Sequence, residues 1–385
     1  NCGNGRWQKL TDKTDTGRNH YQARQLTLFE QIRLGTAARP ARPEWRYPLQ
    51  ALTPLSIFLV PAAGYEPSAD APAQAEYRAL WEAFLASLDA IPRAHRHAWP
   101  LWLDHFDSAW LSFTHAIPSA TAFGVKPDVS LYDHSKSTAA LATALWRWHA
   151  AAAATDAAAA SALQACSDWD EAKFLLIQGD FFGIQDFIFA DGAESNRSAA
   201  RLLRGRSFQV SLLAECAALK VLEALELPPT AQIINAAGKF LIVAPNTEAA
   251  RNAVARCRAE FNAWCLEHAY GEIGVGLATT PASCNDFVGG RFGELNKRLI
   301  AALDVAKHQR FGLCDDAAPT AFDGFLDRFD NTLGVCQING KYPASAGASG
   351  KRGYALSDLA DDQIRIGEAL TKRARILVAR EADTL

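Results

Sequence analysis

The stretch QIINAAGKFLIVA, residues 232–244, decides the fold because it contains two strands and the turn between them. Residues 232–235 and 239–244 are short apolar runs rich in β-branched and aromatic side chains, which favour β-structure. The tripeptide Ala236-Ala237-Gly238 is small and ends in glycine, which is typical of a tight turn. We therefore expect a β-hairpin here, at the middle of a larger unit.

Two more strands and two helices flank this hairpin. The strands are apolar or alternate apolar with small residues, and the helices carry apolar residues every three or four positions. We expect strands at residues 174–177 and 273–277, and helices at residues 207–227 and 247–271. The order β-α-β-β-α-β is the ferredoxin-like plan of polymerase-type palms. The predicted fold class is therefore α+β, with a helical domain before the palm and a small region after it.

Changes in composition mark four regions of the chain. Residues 1–150 have mainly helical patterns and are rich in tryptophan, and residues 151–173 contain an alanine-rich segment that we interpret as a linker. Residues 174–312 hold the palm. Residues 313–385 are loop-rich and then helical from about Ser357, and we expect them to form little core by themselves.

Charge and cysteine content exclude some classes of protein. The net charge of −3 gives no general attraction to nucleic acid, so RNA binding would need a local basic patch. The eight cysteines form no C-x-x-C pair, and no apolar run is long enough to cross a bilayer. We expect a cytoplasmic protein with no membrane partner. Because the chain begins at Asn1 and contains no methionine, we expect either part of a longer protein or a sequence from which methionines were lost.

The predicted palm retains only one of the acidic residues that nucleotidyl-transfer palms use. Such palms hold two divalent ions with two or three carboxylates, one at the end of the first strand and the others in the hairpin. Asp180 stands at the first position, but the hairpin reads Ala236-Ala237-Gly238-Lys239, and a lysine repels a metal ion. We therefore predict no catalytic residue and no metal site in this palm.

Three residues of the palm are candidates for nucleotide binding: Asp180, Ser207 and Lys239. Asp180 could contact a ribose or a metal shared with a second domain, or it could bond backbone N–H groups in the turn after its strand. Lys239 could bind a phosphate or be a solvated residue of the hairpin. The sequence leaves these alternatives open.

A cluster of arginines follows the first strand. Arg197, Arg201 and Arg204 are spaced four and three apart, so they share one face if the stretch is helical, and Arg206 follows closely. Several guanidinium groups on one surface favour phosphate or a carboxylate-rich partner. We predict that these four residues contact RNA or a partner subunit. The alternative is a solvated rim paired with acids such as Glu194.

Four segments carry a family resemblance. GDFFGIQDFIF at residues 179–189, AARLLRGRSFQVSLLAECA at 199–217 and IINAAGKFLIVAPN at 233–246 resemble the first palm of one known family of proteins. That family is the large, Csm-type subunit of type III-A CRISPR–Cas effector complexes. DVSLYDHSKSTAALATALW at 128–146 resembles the segment that precedes the same palm, so the resemblance extends over residues 128–312.

The resemblance implies a protein with an HD nuclease domain, two palms, a zinc-bearing linker and a C-terminal helical domain. It implies crRNA, target RNA and other type III effector subunits as partners. It also implies that a second palm with a Gly-Gly-Asp-Asp hairpin makes cyclic oligoadenylates from ATP, and that the HD site cleaves single-stranded DNA. This chain contains neither a His-Asp dipeptide nor Gly-Gly-Asp-Asp. We therefore expect no cofactor in this chain, with ATP and Mg²⁺ or Mn²⁺ needed only by a two-palm protein.

The zinc site of the linker is reduced in this chain. The two C-x-x-C pairs implied by the resemblance correspond to Cys336-Gln-Ile-Asn339 and Ser357-Asp-Leu-Ala360. One thiol of four cannot hold a tetrahedral zinc ion. Residues 313–385 are therefore interpreted as a degenerate zinc-linker-like region without metal.

The favoured function is that of a subunit in a crRNA-guided antiviral complex, with this palm acting as a scaffold and as a sensor of nucleotide or RNA. Oligoadenylate synthesis is expected only if a second, intact palm belongs to the same molecule. One alternative is a stand-alone nucleotidyl cyclase, against which the hairpin argues. The other is a ferredoxin-like RNA-binding module, which would stack bases on strand aromatics, although residues 239–244 offer only Phe240.

Overall fold

The computed structural model describes residues 24–30, 32, 35, 45–53, 56, 60–61, 71–120, 127–189, 199–314, 324–329 and 331–373. The chain divides into two units. The first comprises residues 1–143 with 228–233, and the second comprises residues 144–227 with 234–385. Within the described ranges, no helix combines the length and the apolar character that a membrane span requires.

The described part of the first unit is mainly helical, and aromatic side chains join two of its helices. Its elements are β1 (Trp45–Arg46), β2 (Val60–Pro61), α1 (Ala71–Asp89), α2 (Arg93–Arg96), α3 (Trp99–Thr114) and the beginning of α4 (Leu131–Ala151). Phe84 of α1 packs edge-on against Phe106, Trp110 and Phe113 of α3, with ring centroids 5.6–6.3 Å apart. These contacts join α1 to α3. Within the described part of residues 1–150, the predicted helices are present from Ala71 onward.

The palm contains a four-stranded sheet with the strand order β4-β5-β3-β6. The strands are β3 (Phe174–Phe182), β4 (Gln232–Ala236), β5 (Lys239–Pro245) and β6 (Gly274–Ala282), and the long helices are α7 (Ala199–Ala224) and α8 (Glu248–Ala269). β3 pairs antiparallel with both β5 and β6. The predicted order β-α-β-β-α-β and the α+β fold class are confirmed.

The two faces of this sheet pack against different helices. One face carries Leu175, Ile177, Phe240 and Ile242, all 0% exposed, and it packs against α7 and α8. Successive residues of a strand point to opposite faces, so Asp180 lies on the other face. The opposite face is also largely apolar, with Leu176 and Val243 2% and 1% exposed. Asp180 lies toward one end of it, and we call the part formed by Asp180, Lys239 and Gly276 the polar face of the palm.

Helix α7 begins at Ala199, eight residues before the predicted start at Ser207. Gly205 weakens the helical signal of this stretch because glycine has low helix propensity. In the structure Gly205 has a packing role: a Cβ there would lie 1.9 Å from the backbone oxygen of Gln363. The glycine therefore permits a close approach between α7 and a helix near the C-terminus, which no local pattern reveals.

Helix α9 (Phe292–His308) packs on β6 and β3. Its buried side chains are Leu295, Leu299 and Leu303. Before α9 the chain forms a short 3₁₀ turn, Cys284–Phe287, which two glycines separate from the helix. Gly289 and Gly290 have φ angles of +63° and +79°, a backbone conformation that ends helical geometry.

The region after the palm has a small core that the sequence did not predict. Its helices are α10 (Ala346–Arg352) and α11 (Asp358–Ala369). Two short helices elsewhere in the chain, α5 (Ala157–Gln164) and α6 (Ile184–Ile188), lie before and after β3. The buried cluster comprises Cys336, Ile338, Ala348, Leu356, Ala360, Ile364 and Leu202. Leu202 belongs to α7, so the core is completed by the palm, and a prediction based on this region alone missed it.

Candidate functional site

Asp180 is the centre of the polar face of the palm. It lies inside β3, directly opposite Lys239 of β5 and Gly276 of β6. Its side chain is only 4% exposed. The alternative that Asp180 caps the turn after its strand is wrong, because β3 continues to Phe182.

Two lysines share the carboxylate of Asp180. Lys307, near the end of α9, donates a hydrogen bond to Oδ2 of Asp180. The ammonium nitrogen of Lys239 lies 3.5 Å from the same oxygen. A buried carboxylate needs such partners because it has lost its hydration. Two positive charges and one negative charge leave this centre with a net charge of +1.

Gly276 creates the space that Lys307 occupies. A Cβ at position 276 would lie 2.7 Å from Cγ of Lys307, so any larger residue would push this side chain away from Asp180. Lys307 could not be predicted as a partner of Asp180, because it lies 127 positions later in a different element. The alternation of small residues in β6 is the only local signal, and it does not name the partner.

The hairpin turn places Lys239 at the position where catalytic palms have a carboxylate. Ala237 and Gly238 have φ angles of +54° and +80°, as in the type I′ turns of two-residue hairpins. Lys239 follows at the first position of β5, and its side chain is 53% exposed. Ser207 is exposed on α7, one turn before Val210, which lies beside the backbone of Gly238. The structure thus brings Asp180 and Lys239 together and leaves Ser207 on a neighbouring helix.

The donors at this centre do not suit the two metal ions of catalytic palms. Two divalent ions need several carboxylates to bridge them and to offset their charge. Here a single carboxylate already faces two ammonium groups. Across the described ranges, no three His, Cys, Asp or Glu side chains are grouped as metal ligands.

Arg206 is an internal residue of the palm. It is 2% exposed; its Nε donates to Oε1 of Gln363 at 3.0 Å and its Nη1 to the carbonyl of Ile188 at 3.1 Å. Burial lowers the pKa of the Arg206 guanidinium, with nearby Glu272 acting in the opposite direction. The geometry supports a structural role in which Arg206 ties α6, α7 and α11 together.

Arg201 and Arg204 are more accessible and also contact α11. Nη1 of Arg201 lies 2.9 Å from Oε1 of Glu368, and Nη2 of Arg204 lies 3.5 Å from the carbonyl of Gly367. The Arg201 side chain is 49% exposed, so part of it can still meet another molecule. Arg197 and Glu194 lie outside the described residues. Contact of these arginines with RNA or a partner stays a prediction.

The positions expected for zinc ligands carry hydrogen bonds and methyl groups instead. Oδ1 of Asn339 accepts the backbone N–H groups of Lys341 and Tyr342, each at 3.1 Å. The Ser357 hydroxyl caps α11 by accepting the N–H of Ala360 at 3.3 Å. Cys336 and Ala360 are both 0% exposed within the apolar cluster. One thiol, one amide, one hydroxyl and one methyl do not fit a tetrahedral zinc ion.

Comparisons with known proteins identify the same region. Residues 173–320 match the family described as Csm1 subunit domain B. A relative in Thermococcus onnurineus, the single-strand-specific deoxyribonuclease Cas10/Csm1 (subtype III-A), is 35% identical over 188 residues, covering 48% of this chain and 23% of the relative. Its counterpart in Mycobacterium tuberculosis is 33% identical over 180 residues, covering 47% and 22%. The chain thus spans about a quarter of the length of these relatives.

Solved structures of Csm1–Csm4 cassettes show the same fold. The cassette in complex with pppApApA has a TM-score of 0.55 and 27% identity, over 69% of this chain and 34% of the matched chain. The cassette in complex with one ATP has a TM-score of 0.54 and 27% identity, over 73% and 34%. The resemblance to the Csm-type large subunit, predicted from the sequence, is confirmed.

Proposed function

Starting from the resemblance of residues 173–320 to domain B of Csm1, we propose that this chain is part of the large subunit of a crRNA-guided type III antiviral complex. In this proposal its palm is the inert one of a pair. It serves as a scaffold that docks a neighbouring subunit and forms one wall of a nucleotide cleft. The observation that carries the proposal is the pairing of Asp180 with Lys307 and Lys239.

This pairing argues against phosphoryl transfer in the palm. A divalent ion at Asp180 would have to displace the Lys307 ammonium and would still face the positive charge of Lys239. The metals would then lack the carboxylates that position an attacking hydroxyl and stabilise the leaving group. In this proposal, ATP, Mg²⁺ or Mn²⁺ and cyclic oligoadenylate synthesis are expected only if a second palm with an intact hairpin belongs to the same molecule.

The partners follow from the structural neighbours. One of them is the Csm1–Csm4 subcomplex of the type III-A Csm interference complex. By analogy, we expect a Csm4-like subunit to bind this chain, and crRNA and target RNA to be reached through the assembled complex. Arg201 and Arg204 stay candidates for RNA or subunit contact. A location in the cytoplasm fits a complex that binds guide and target RNA.

Two other functions fit the geometry less well. A stand-alone nucleotidyl cyclase would need metal ligands beside Asp180, where the structure has two lysines. An RNA-binding module of this fold would stack bases on exposed aromatics of its central strands. Phe240 on β5 is 0% exposed and packs in the apolar core, so it offers no ring to a base.

Co-expression with a Csm4-like subunit tests the proposal. We expect the two chains to copurify and to elute as one species in size-exclusion chromatography with light scattering. A charge-reversing variant, Arg201→Glu, examines the candidate contact surface, with Lys297→Glu on α9 as the matched control. A folded chain that stays separate from every type III-A partner subunit would contradict the proposed function.

A further inference from the structure

A cavity of about 410 Å³ lies between α7 and α8, on the face of the sheet opposite to Asp180. Its floor is formed by Phe181 of β3 and Val275 of β6, which pair directly with each other in the sheet. These two side chains are 4% and 5% exposed. Because Phe181 is the neighbour of Asp180 in the strand, its side chain points away from the polar face of the palm. The cavity is therefore separate from that face.

The walls of the cavity are mainly apolar. Leu213 and Ala217 of α7 line one side, and Phe261, Trp264 and Cys265 of α8 line the other. Burial raises the pKa of the Cys265 thiol to about 12, so this group is uncharged at neutral pH. A lining of this kind favours an apolar ligand, because binding removes the apolar surfaces of both the ligand and the cavity from water.

The charged side chains at the cavity neutralise each other. The Lys220 ammonium of α7 lies 3.0 Å from Oε2 of Glu260 of α8. Lys220 is the last lining residue of α7 and Glu260 is the first of α8, so the pair bridges the two helices at one end of the cavity. The two side chains are 49% and 56% exposed and lie at the rim. Among the described residues that line the cavity, no unpaired charge is present to attract an ion.

Trp264 gives the cavity a flat aromatic wall. Its indole ring stacks on the imidazole of His268, one helical turn later, with ring centroids 4.8 Å apart and an angle of 10° between the planes. Nδ1 of His268 lies 3.2 Å from the backbone oxygen of Trp264, which holds the imidazole against the indole. The indole is therefore oriented before a ligand arrives. Such a ring favours an aromatic ligand, because aromatic rings attract each other in offset and edge-on arrangements.

From these features we propose that the cavity between α7 and α8 binds an uncharged aromatic molecule of two or three rings. A cavity of about 150 Å³ holds a benzene molecule, and this cavity is larger. The Lys220–Glu260 pair closes one end, so a compact ligand fits better than a partner's helix laid along α7 and α8. The site does not depend on the proposed function, because it lies on the other face of the sheet.

The test uses N-phenyl-1-naphthylamine, an uncharged three-ring probe whose fluorescence rises in apolar surroundings. Titration of the whole chain should give saturable binding. The analogue 8-anilino-1-naphthalenesulfonate has the same rings and a negative charge. It should bind at least about tenfold more weakly, because no unpaired cation meets its sulfonate.

Two tryptophan variants examine the aromatic wall. Trp264→Ala should weaken binding of the uncharged probe about tenfold, as the loss of a stacking contact and its buried area predicts. Trp146→Ala is the matched control, because Trp146 is a 64% exposed tryptophan of α4 that does not line the cavity. It should leave the affinity unchanged. Trp264 is 39% exposed, so its alanine variant should fold, and circular dichroism checks this.

Alkylation of the unaltered protein shows where the probe binds. Cys216 and Cys314 are both exposed, but only Cys216 lines the cavity. At about ten times its Kd the probe leaves roughly one cavity in eleven empty, so N-ethylmaleimide should modify Cys216 about tenfold more slowly. The rate at Cys314 should not change. Mass spectrometry of the digested protein measures both rates, and this result stands whether or not a variant folds.

Several results would overturn the inference. They are the absence of saturable binding, equal or tighter binding of the sulfonated analogue, equal losses in the two tryptophan variants, and an unchanged alkylation rate of Cys216. Protection of Cys216 on assembly with a Csm4-like subunit, without any probe, would assign the cavity to a protein contact and would also overturn it. Assembly itself is measured without the probe, so the proposed function stands or falls separately.

Discussion

Lys307 of α9 donates a hydrogen bond to the carboxylate of Asp180 in β3, across 127 positions of sequence. This contact fastens α9 to the polar face of the palm at the place where catalytic relatives of the fold hold metal ions. It therefore has two consequences: it stabilises the packing of α9, and it pairs the Asp180 carboxylate with an ammonium group rather than leaving it open to a metal ion.

Replacing Lys307 with alanine should destabilise the protein. The change leaves a 4% exposed carboxylate with only the more distant Lys239 ammonium as a charged partner. We expect the free energy of unfolding to fall by about 1–3 kcal/mol, the usual cost of leaving a buried polar group poorly paired. Urea denaturation followed by circular dichroism measures this.

The matched control is Lys297→Ala on the same helix. Lys297 and its partner Glu294 are 73% and 74% exposed, so their ion pair is worth about 0–1 kcal/mol at most. Equal stability losses in the two variants would show that the pairing of Lys307 with Asp180 contributes no more to stability than an exposed ion pair.

Replacing Gly205 with alanine should separate α7 from α11. The added Cβ would lie 1.9 Å from the backbone oxygen of Gln363, and backbone cannot move aside as a flexible side chain does. We expect a loss of roughly 1–3 kcal/mol from this overpacking, visible as a lower midpoint of thermal unfolding.

Gly350→Ala in α10 is the control for this substitution. No atom lies within 4 Å of a Cβ at position 350, so alanine there should stabilise the helix by about 0.5–1 kcal/mol. A Gly205→Ala variant that is as stable as Gly350→Ala would show that α7 and α11 do not approach each other closely at position 205.

Arg206 should matter for stability more than Arg201 does. Arg206→Ala leaves Oε1 of Gln363 and the Ile188 carbonyl without their buried donor, at a cost of about 2–4 kcal/mol. Arg201→Gln removes a half-exposed pair with Glu368 and should cost less than about 1 kcal/mol. Chemical denaturation of both variants decides the order, and the reverse order would refute the structural role of Arg206.

Removal of metal should not change the stability of the region after the palm. Asn339 and Ser357 satisfy backbone N–H groups at positions where zinc ligands are expected, and Cys336 packs in an apolar cluster. We expect the thermal midpoint to change by less than about 1 °C in EDTA, whereas a structural zinc ion would contribute most of the local folding free energy. A large drop with EDTA, together with zinc in the purified protein by mass spectrometry, would contradict this.

Local patterns predicted the palm well because each strand and helix carries its own signal. The hairpin at Ala237 and Gly238 follows from small residues between apolar runs, and the structure has it there. The predicted start of α7 is too late because glycine at position 205 lowers the local helix propensity. The structure needs glycine there for the close contact with Gln363, which a local pattern does not show. What a sequence pattern shows least is which distant element a residue will meet.

The candidate site illustrates the same limit. Asp180 and Lys239 were found because the fold gives their places on adjacent strands. Lys307 was not found, since an amphipathic helix such as α9 does not show which lysine reaches across to another element. The spacing of Arg201 and Arg204 indicated a shared helix face, but not that this face packs near Gly367 and Glu368 of α11.

The most direct test of the inert palm is product formation from ATP. The purified chain is incubated with ATP and Mg²⁺ or Mn²⁺, with guide complex and target RNA, and the products are separated by liquid chromatography and mass spectrometry. A large subunit with an intact Gly-Gly-Asp-Asp palm is the positive control. We expect cyclic oligoadenylates from the control and none from this 385-residue chain. Oligoadenylate made by this chain alone would show that its palm is not inert.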